Sequence, residues 1–225
     1  IEAKAWKDSI HHLGIPHSLL SPYCLRVSQR SALLTLAPWF ESDYGTRRCT
    51  LGKFDAIREE ACAANLEIDR LRLAILTWGN ASAFDPASGV FAIKPSGLGY
   101  GELNPDSMVI VDLTGAVVEG KLRPSSDTKT HLVLYRSFAG IRGVCHSHSP
   151  YAVAWAQAGR GIPCLGTTHA DQTAGEIPCT PMIGPEAVAR DYEEGTGELI
   201  VETFSGKKPL ESPMALVSGH GPFTW

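Results

Sequence analysis

A pair of histidines one residue apart is the clearest candidate for chemistry in this chain. His146 and His148 follow a short apolar run, Ile141 to Cys145, that predicts a β-strand leading into a helix. Side chains alternate across a strand, so the two imidazoles project to the same face. Two neutral imidazoles side by side form half of a first-row metal site, although a His-x-His pair alone is a weak signal. The position between strand and helix favours the metal interpretation, because sites in α/β proteins commonly lie there.

A third histidine can complete such a site. His220 lies between two glycines, just after an apolar strand predicted over Met214 to Ser218. A catalytic zinc site takes three protein ligands and keeps one position open for water or substrate. The predicted ligands are therefore His146, His148 and His220, with the carboxylate of Asp127 close to the metal.

Three small polar pairs predict contacts to an anionic substrate. Each pair places an amide or hydroxyl group at a strand end or a helix start, where unpaired backbone N–H groups favour negative charge. Ordinary turn chemistry is the simpler explanation of any single pair. Three pairs beside a candidate metal site, with Lys94 as an added positive charge, indicate a phosphorylated substrate. The pairs are Gly79-Asn80, Ser96-Gly97 and Ser125-Ser126.

The elements that must position these residues follow from hydrophobic periodicity and turn signals. The predicted elements are an amphipathic helix over 53–69, a hairpin of 73–78 with 90–93, a hairpin of 108–112 with 116–119, a helix over 128–138 capped by Ser125, Ser126 or Asp127, and a helix over 185–194. Hairpins followed by single helices favour an α/β domain with a mixed, largely antiparallel central sheet flanked by helices.

Composition limits the class of protein. The 225 residues suffice for one full domain, and 44% hydrophobic residues supply its core. A net charge of −4 and the lack of a Lys/Arg cluster argue against nucleic-acid binding. No apolar run approaches the length of a membrane span, so no membrane partner is expected. The six cysteines form no C-x-x-C motif, which favours reduced thiols in the cytoplasm.

Residues 1–50 differ from the rest of the chain. The stretch from Ser9 to Phe40 contains no acidic residue, and three histidines lie close together at His11, His12 and His17. A poorly ordered or non-native N-terminal extension is expected here. A transit peptide and translated upstream sequence remain alternatives, and organised sequence begins near residue 51.

From about residue 51 to its end, the sequence resembles the L-ribulose-5-phosphate 4-epimerases of the class II aldolase and adducin-type superfamily. The matching motifs occur in the expected order along roughly three-quarters of the chain. They are Thr77-Trp78-Gly79-Asn80, Ile93-Lys94-Pro95-Ser96-Gly97, Pro124-Ser125-Ser126-Asp127-Thr128, His146-Ser147-His148-Ser149, Trp155-Ala156-Gln157-Ala158-Gly159, Gly166-Thr167-Thr168-His169-Ala170-Asp171, Ile177-Pro178-Cys179-Thr180 and His220-Gly221-Pro222-Phe223.

This resemblance implies a three-layer class II aldolase-like domain over 51–225, and a cytoplasmic homotetramer. It implies an isomerase of arabinose catabolism that interconverts L-ribulose 5-phosphate and D-xylulose 5-phosphate by retro-aldol and aldol steps. Zn²⁺ or another divalent first-row metal would lie on the three histidines and act as a Lewis acid. The resemblance also implies an acid/base role for Asp171, which taken alone is a solvated loop acid. Contacts to substrate phosphate and hydroxyl groups are implied for Asn80, Ser96, Gly97, Ser125 and Ser126.

Two other functions remain open. A class II sugar-phosphate aldolase is the first alternative, but the aldolases of the superfamily carry glutamate where this chain has Asp127. An adducin-like binding member without catalysis is disfavoured, because all three histidines are present. The resemblance further implies a catalytic tyrosine in a C-terminal stretch beyond Trp225. The domain is therefore expected to be truncated at its C-terminus and to epimerise poorly as it stands.

Overall fold

The computed structural model describes residues 52–225, and the expectations for residues 1–50 lie outside the described residues. The strands are β1 (Asn80–Asp85), β2 (Val90–Ile93), β3 (Val109–Asp112), β4 (Val117–Glu119), β5 (Gly143–His146), β6 (Met214–Val217) and β7 (Gly221–Thr224). The helices are α1 (Asp55–Arg70), α2 (Thr128–Ser137), α3 (Pro150–Gln157), α4 (Thr167–Ala170) and α5 (Pro185–Thr203), with short 3₁₀ turns at Tyr100–Glu102 and Pro105–Ser107. None of these helices is long and apolar enough to cross a membrane.

The seven strands form one antiparallel sheet in the order β4-β3-β2-β1-β5-β7-β6. The register pairs Asn80 of β1 with His146 of β5, and His146 with Phe223 of β7. Asn80 and His146 are the first residue of β1 and the last of β5, so both lie at the same end of the sheet. The candidate site is built at this end.

The two faces of the sheet bury different apolar sets. In β2, Phe91 and Ile93 pack toward α2 and α5, whereas Val90 and Ala92 pack toward α1. This alternation is the period-two pattern of a strand covered on both faces. The predicted class, an α/β domain with a largely antiparallel sheet flanked by helices, is confirmed.

The buried strand predicted over 73–78 is wrong. The segment is a loop in which Ile75, Leu76 and Trp78 are exposed, and Arg72 and Leu76 have positive φ values that interrupt an extended backbone. The strand begins at Asn80 instead, so the hairpin with β2 is formed by Asn80–Asp85 and not by the predicted 73–78. Small and polar residues (Asn80 to Ala83) fill most of this strand, because it is central and tightly covered by α1 rather than intrinsically favourable to β-structure.

Glycines explain two further differences. The helix predicted over 185–194 continues to Thr203, past a break at Asp191 and through Gly195 and Gly197. Gly197 packs closely against α2, where a Cβ would lie 2.7 Å from Cβ of Val133. The last strand, β7, was not predicted, because it contains Gly221 and Pro222, two residue types that commonly end strands. The other predicted elements, at 53–69, 108–119 and 128–138, are confirmed within a few residues.

Candidate active site

Three histidine rings converge at one end of the sheet. His146 ends β5, His148 follows it by two residues, and His220 lies in the turn between β6 and β7. One ligand atom from each ring lies within 4.8 Å of the others. The Nε2 atoms of His146 and His148 are 3.0 Å apart. The structure thus brings together the three predicted metal ligands.

Neighbouring groups contact the rings of His146 and His220 and anchor the backbone of His148. Nδ1 of His146 lies 2.9 Å from the carbonyl oxygen of Pro222, to which it can only donate, so Nε2 carries the lone pair. Nδ1 of His220 lies 3.1 Å from the hydroxyl of Tyr192. The backbone N–H of His148 donates to the carbonyl of Leu73 at 2.8 Å, which anchors the end of the His-x-His pair.

Burial keeps these imidazoles neutral. It lowers the pKa of His146 to about 3, with a smaller contribution from the neighbouring His220. Burial also lowers the pKa values of His148 and His220, and the Asp127 carboxylate opposes this shift in both. Neutral imidazole is the ligand form, so at neutral pH the three rings are ready to bind a metal.

The geometry fits a first-row metal. Two nitrogens bound to one tetrahedral zinc at 2.0–2.1 Å would be about 3.3 Å apart, close to the separation of His146 and His148. Three imidazoles suit zinc and other divalent first-row ions rather than magnesium or calcium, which prefer oxygen. Asp127 belongs to the same cavity but not to the ligand cluster, which consists of the three histidines.

A cavity of about 400 Å³ opens above the histidines. The predicted substrate-binding and metal-site residues that line it are Gly79, Asn80, Lys94, Ser96, Gly97, Ser125, Ser126, Asp127, His146, His148 and His220. Backbone pairing brings two of the polar pairs together, because the N–H of Ser125 donates to the carbonyl of Lys94 at 3.0 Å. Gly79 allows its backbone to lie close to that of His146: its φ is +82°, and a Cβ would lie 3.1 Å from the carbonyl oxygen of His146.

Lys94 is almost fully buried in the wall of this cavity. Its Nζ donates to the carbonyl of Thr77 at 3.0 Å and lies 4.9 Å from the centre of the Tyr100 ring. None of the ion pairs within residues 52–225 involves Lys94. Burial accordingly lowers the pKa of Lys94.

Asn80 and Asp127 form a polar pair beside the histidines. Nδ2 of Asn80 donates to Oδ2 of Asp127 at 2.6 Å. Oδ1 of the same amide is buried and has no hydrogen-bond partner among the described residues. Asp127 precedes α2 but makes no capping hydrogen bond with its side chain. Its carboxylate therefore faces the cavity and does not cap the helix.

Asp171 lies elsewhere. It follows the short helix α4, its side chain is exposed, and it is not among the residues that line the cavity. Within a single chain, the structure does not bring the predicted acid/base residue to the histidines.

Two residues that line the cavity lie outside every predicted site and motif. Tyr192 and Glu193 line the cavity from α5, immediately after Asp191, whose backbone is not helical. Burial raises the pKa of Tyr192, and the nearby Asp127 adds to this. No sequence signal identified them, because both lie inside the helix predicted over 185–194 and the break at Asp191 could not be anticipated.

Comparisons with known proteins agree with this architecture. A sequence model of the class II aldolase and adducin N-terminal domain matches residues 59–225. Among solved structures, an L-fuculose 1-phosphate aldolase is similar with a TM-score of 0.63 at 23% identity, covering 75% of this chain and 74% of the other. An L-fuculose-1-phosphate aldolase from Thermus thermophilus has a TM-score of 0.56 at 24% identity, covering 76% and 80%.

A sugar-phosphate aldolase from Thermotoga maritima has a TM-score of 0.57 at 15% identity, covering 77% of this chain and 85% of the other. At such identities these likenesses establish the fold alone. The sequence match is broader, since it spans most of the chain and includes every residue of the histidine cluster. The chain therefore belongs to the class II aldolase and adducin N-terminal domain family.

Proposed function

We propose that this chain is a metal-dependent isomerase that interconverts L-ribulose 5-phosphate and D-xylulose 5-phosphate by epimerisation at C4. The observation that carries the proposal is a three-histidine cluster and a buried lysine in the wall of one cavity. Such a cavity suits a substrate with carbonyl and hydroxyl oxygens at one end and a phosphate at the other.

The phosphate would bind near Lys94. A buried ammonium group without a carboxylate partner is costly, and a phosphate would supply the missing opposite charge. Ser96 and Ser125 add hydroxyl donors on the same wall, where the backbone N–H of Ser96 donates to the carbonyl of Arg123 and that of Ser125 to the carbonyl of Lys94. Gly97, with a φ of +75°, lets the chain turn sharply beside the bound anion.

The other end of the substrate would lie over the histidines. A divalent metal bound there supplies a Lewis acid that stabilises negative charge on substrate oxygens. The unpartnered Oδ1 of Asn80 would accept a hydrogen bond from a substrate hydroxyl, which accounts for a buried acceptor with no partner among the described residues. The Asp127 carboxylate, held by the other end of the same amide, would be positioned beside the histidines and the end of the substrate that lies over them.

Proton transfer at C4 needs two further groups. Inversion without a redox cofactor breaks the C3–C4 bond and remakes it on the opposite face, so one group removes the C4 hydroxyl proton and another returns it. Asp171 would fill one of these roles. Because it is exposed outside the cavity of its own chain, it would act in the cavity of a neighbouring subunit of a homo-oligomer, for which we propose a tetramer.

A sugar-phosphate aldolase is the second candidate. The same cavity could break a C–C bond and release both products, and the three similar structures described above are named as aldolases. The aspartate at position 127 is the feature that favours the epimerase.

A coupled assay for D-xylulose 5-phosphate, run with L-ribulose 5-phosphate on the metal-loaded chain, tests the proposal. Activity should vanish on chelation and return with Zn²⁺ or another first-row ion. Steady release of a free aldehyde from a sugar 1-phosphate would instead favour the aldolase. Metal-loaded protein that does neither would contradict both.

The phosphate site has its own variant. Lys94→Met should raise KM about 10–100-fold, because hydrogen bonds to charged groups contribute about 1.5–3 kcal/mol. Lys121→Met, at an exposed lysine outside the cavity, is the matched control. Equal KM values for the two variants would place the phosphate elsewhere.

A further inference from the structure

The hydroxyl of Tyr192 and Nδ1 of His220 are 3.1 Å apart. We propose that Tyr192 is a positioning residue for the metal site: its hydroxyl accepts a hydrogen bond from Nδ1–H of His220, so that Nε2 of this ring is the nitrogen left to bind the metal. This inference rests on the metal site of the proposed function and assigns a role to a residue outside its ligand set.

His220 needs such a partner more than His146 does. His146 is part of β5, and Nδ1 is fixed by the carbonyl of Pro222 on the adjacent strand β7. His220 lies in a turn between two glycines, and Gly219 has a φ of +73°. Within residues 52–225, Tyr192 supplies the hydrogen bond to the ring of His220. Without it, the ring could rotate or change its tautomer.

A break in α5 brings Tyr192 to this position. Asp191 has φ −169° and ψ 111°, an extended conformation inside a helix. Its Oδ1 accepts from the backbone N–H of Glu194 at 3.0 Å, as an N-cap residue does at the start of a helix. The break therefore begins a new helical segment whose first residues, Tyr192 and Glu193, face the cavity.

Helix α2 holds the break in place. Lys129 forms an ion pair with Asp191, and Oγ1 of Thr130 donates to the carbonyl of Glu193 at 2.6 Å. The close contact of Gly197 with Val133 locks the second segment against the same helix. Asp127 immediately precedes this helix, so one element supports both the carboxylate and the tyrosine of the cavity.

The substitution Tyr192→Phe removes only the hydroxyl. We expect about 10–100-fold weaker Zn²⁺ binding, the usual effect of losing a group that orients a metal ligand. Zinc affinity would be measured on the metal-free chain by competition with a chromogenic chelator, and the Co²⁺ absorption spectrum would report altered ligand geometry. Tyr151→Phe, at an 86% exposed tyrosine, is the control.

A double-mutant cycle tests whether the hydroxyl acts through His220. In a His220→Ala background, Tyr192→Phe should no longer change zinc affinity. If Tyr192→Phe does not fold, Lys129→Met, which removes the support of the break, should weaken zinc binding in the same direction. Wild-type zinc affinity and an unchanged Co²⁺ spectrum in Tyr192→Phe would overturn the inference alone. Failure of the wild-type chain to bind zinc at the histidines would overturn the proposed function as well.

Discussion

Asp127 is oriented by an amide on a neighbouring strand and not by the helix that it precedes. Asn80 donates to its carboxylate at 2.6 Å, while the carboxylate makes no capping bond to α2. Because the start of α2 fixes the backbone of Asp127, the position of its carboxylate oxygens depends on the length of this side chain. The charge of this carboxylate acts on the nearby rings of His148 and His220, because it partly offsets the lowering of their pKa values by burial.

Lengthening this side chain should impair turnover more than metal binding. In Asp127→Glu the carboxylate moves by about 1 Å, and misplacement on that scale can cost about 100-fold in rate. The measurement is kcat together with zinc stoichiometry, with Asp106→Glu, outside the cavity, as the control. Wild-type turnover with zinc bound would remove Asp127 from any positional role.

His131 is a second buried histidine near the metal site but is not one of its ligands. Its Nδ1 lies 2.7 Å from Oγ of Ser82, which is 2.7 Å from the hydroxyl of Tyr135, and its Nε2 has no partner among the described residues. Burial lowers the pKa of His131 to about 3, although the Asp127 carboxylate opposes this. The folded chain therefore keeps this ring neutral where an unfolded chain would protonate it.

The stability of the metal-free chain should consequently fall as the pH falls. Between pH 6.5 and about pH 3, His131 is protonated in the unfolded state but stays neutral in the folded state. One such proton costs about 1.4 kcal/mol of unfolding free energy per pH unit. In His131→Gln the slope, measured by urea unfolding from pH 6.5 to 4.5, should be shallower by up to that amount. His169→Gln is the control, and equal slopes in all three proteins would contradict the assignment.

At the residue scale, the sequence predicted the metal cluster because its ligands occupy strand ends. Alternation along an extended chain predicts that His146 and His148 point to the same side, although β5 itself ends at His146, and His220 follows the apolar run that forms β6. Tyr192 could not be found in the same way. Its place in the cavity depends on a break in a helix and on an ion pair with α2, neither of which has a local sequence signal.

At the scale of elements, glycine and proline were the main source of error. They commonly end strands and helices, yet here Pro222 lies within β7 and its carbonyl orients His146. Gly197 lies inside α5 for close packing. The run at 73–78 shows the opposite error, a strand predicted where none forms. It is apolar, but positive φ values at Arg72 and Leu76 make it a loop beside the cavity. In these cases the backbone conformation is determined by packing against neighbouring elements and not by the local propensity of the residues.

Gly197→Ala should destabilise the chain although alanine favours helix. The gain in helix propensity is at most about 1 kcal/mol, but the added methyl would lie 2.7 Å from Cβ of Val133 and force α2 and α5 apart. Overpacking of this kind costs about 1–3 kcal/mol. Urea unfolding should show a net loss, while Gly101→Ala, at an exposed glycine where an added Cβ meets nothing within 4 Å, should change little. A stabilised Gly197→Ala would show that the two helices adjust freely.

At the scale of the whole molecule, the position of Asp171 distinguishes a self-contained site from a shared one. The residue is exposed outside the cavity, so an acid/base role requires a second copy of the chain. Symmetric homo-oligomers are the commonest assemblies of soluble proteins, and one that carried Asp171 to a neighbouring cavity would complete the site. Loss of the oligomer would then abolish turnover while leaving the three histidines able to bind zinc.

Mixing two inactive variants tests this arrangement. Asp171→Asn should lower turnover about 10²–10⁴-fold with zinc still bound, and His146→Asn should lose zinc and activity together. If the site is shared, co-expression of the two should restore about one quarter of wild-type activity, since random pairing in a symmetric oligomer joins an intact histidine cluster to an intact neighbouring Asp171 in about that fraction of sites. Size-exclusion chromatography would verify that mixed oligomers form. If they form and the mixture is no more active than the two variants apart, Asp171 does not act across a subunit boundary, and the second proton-transfer group must be sought within the cavity, beginning with Glu193.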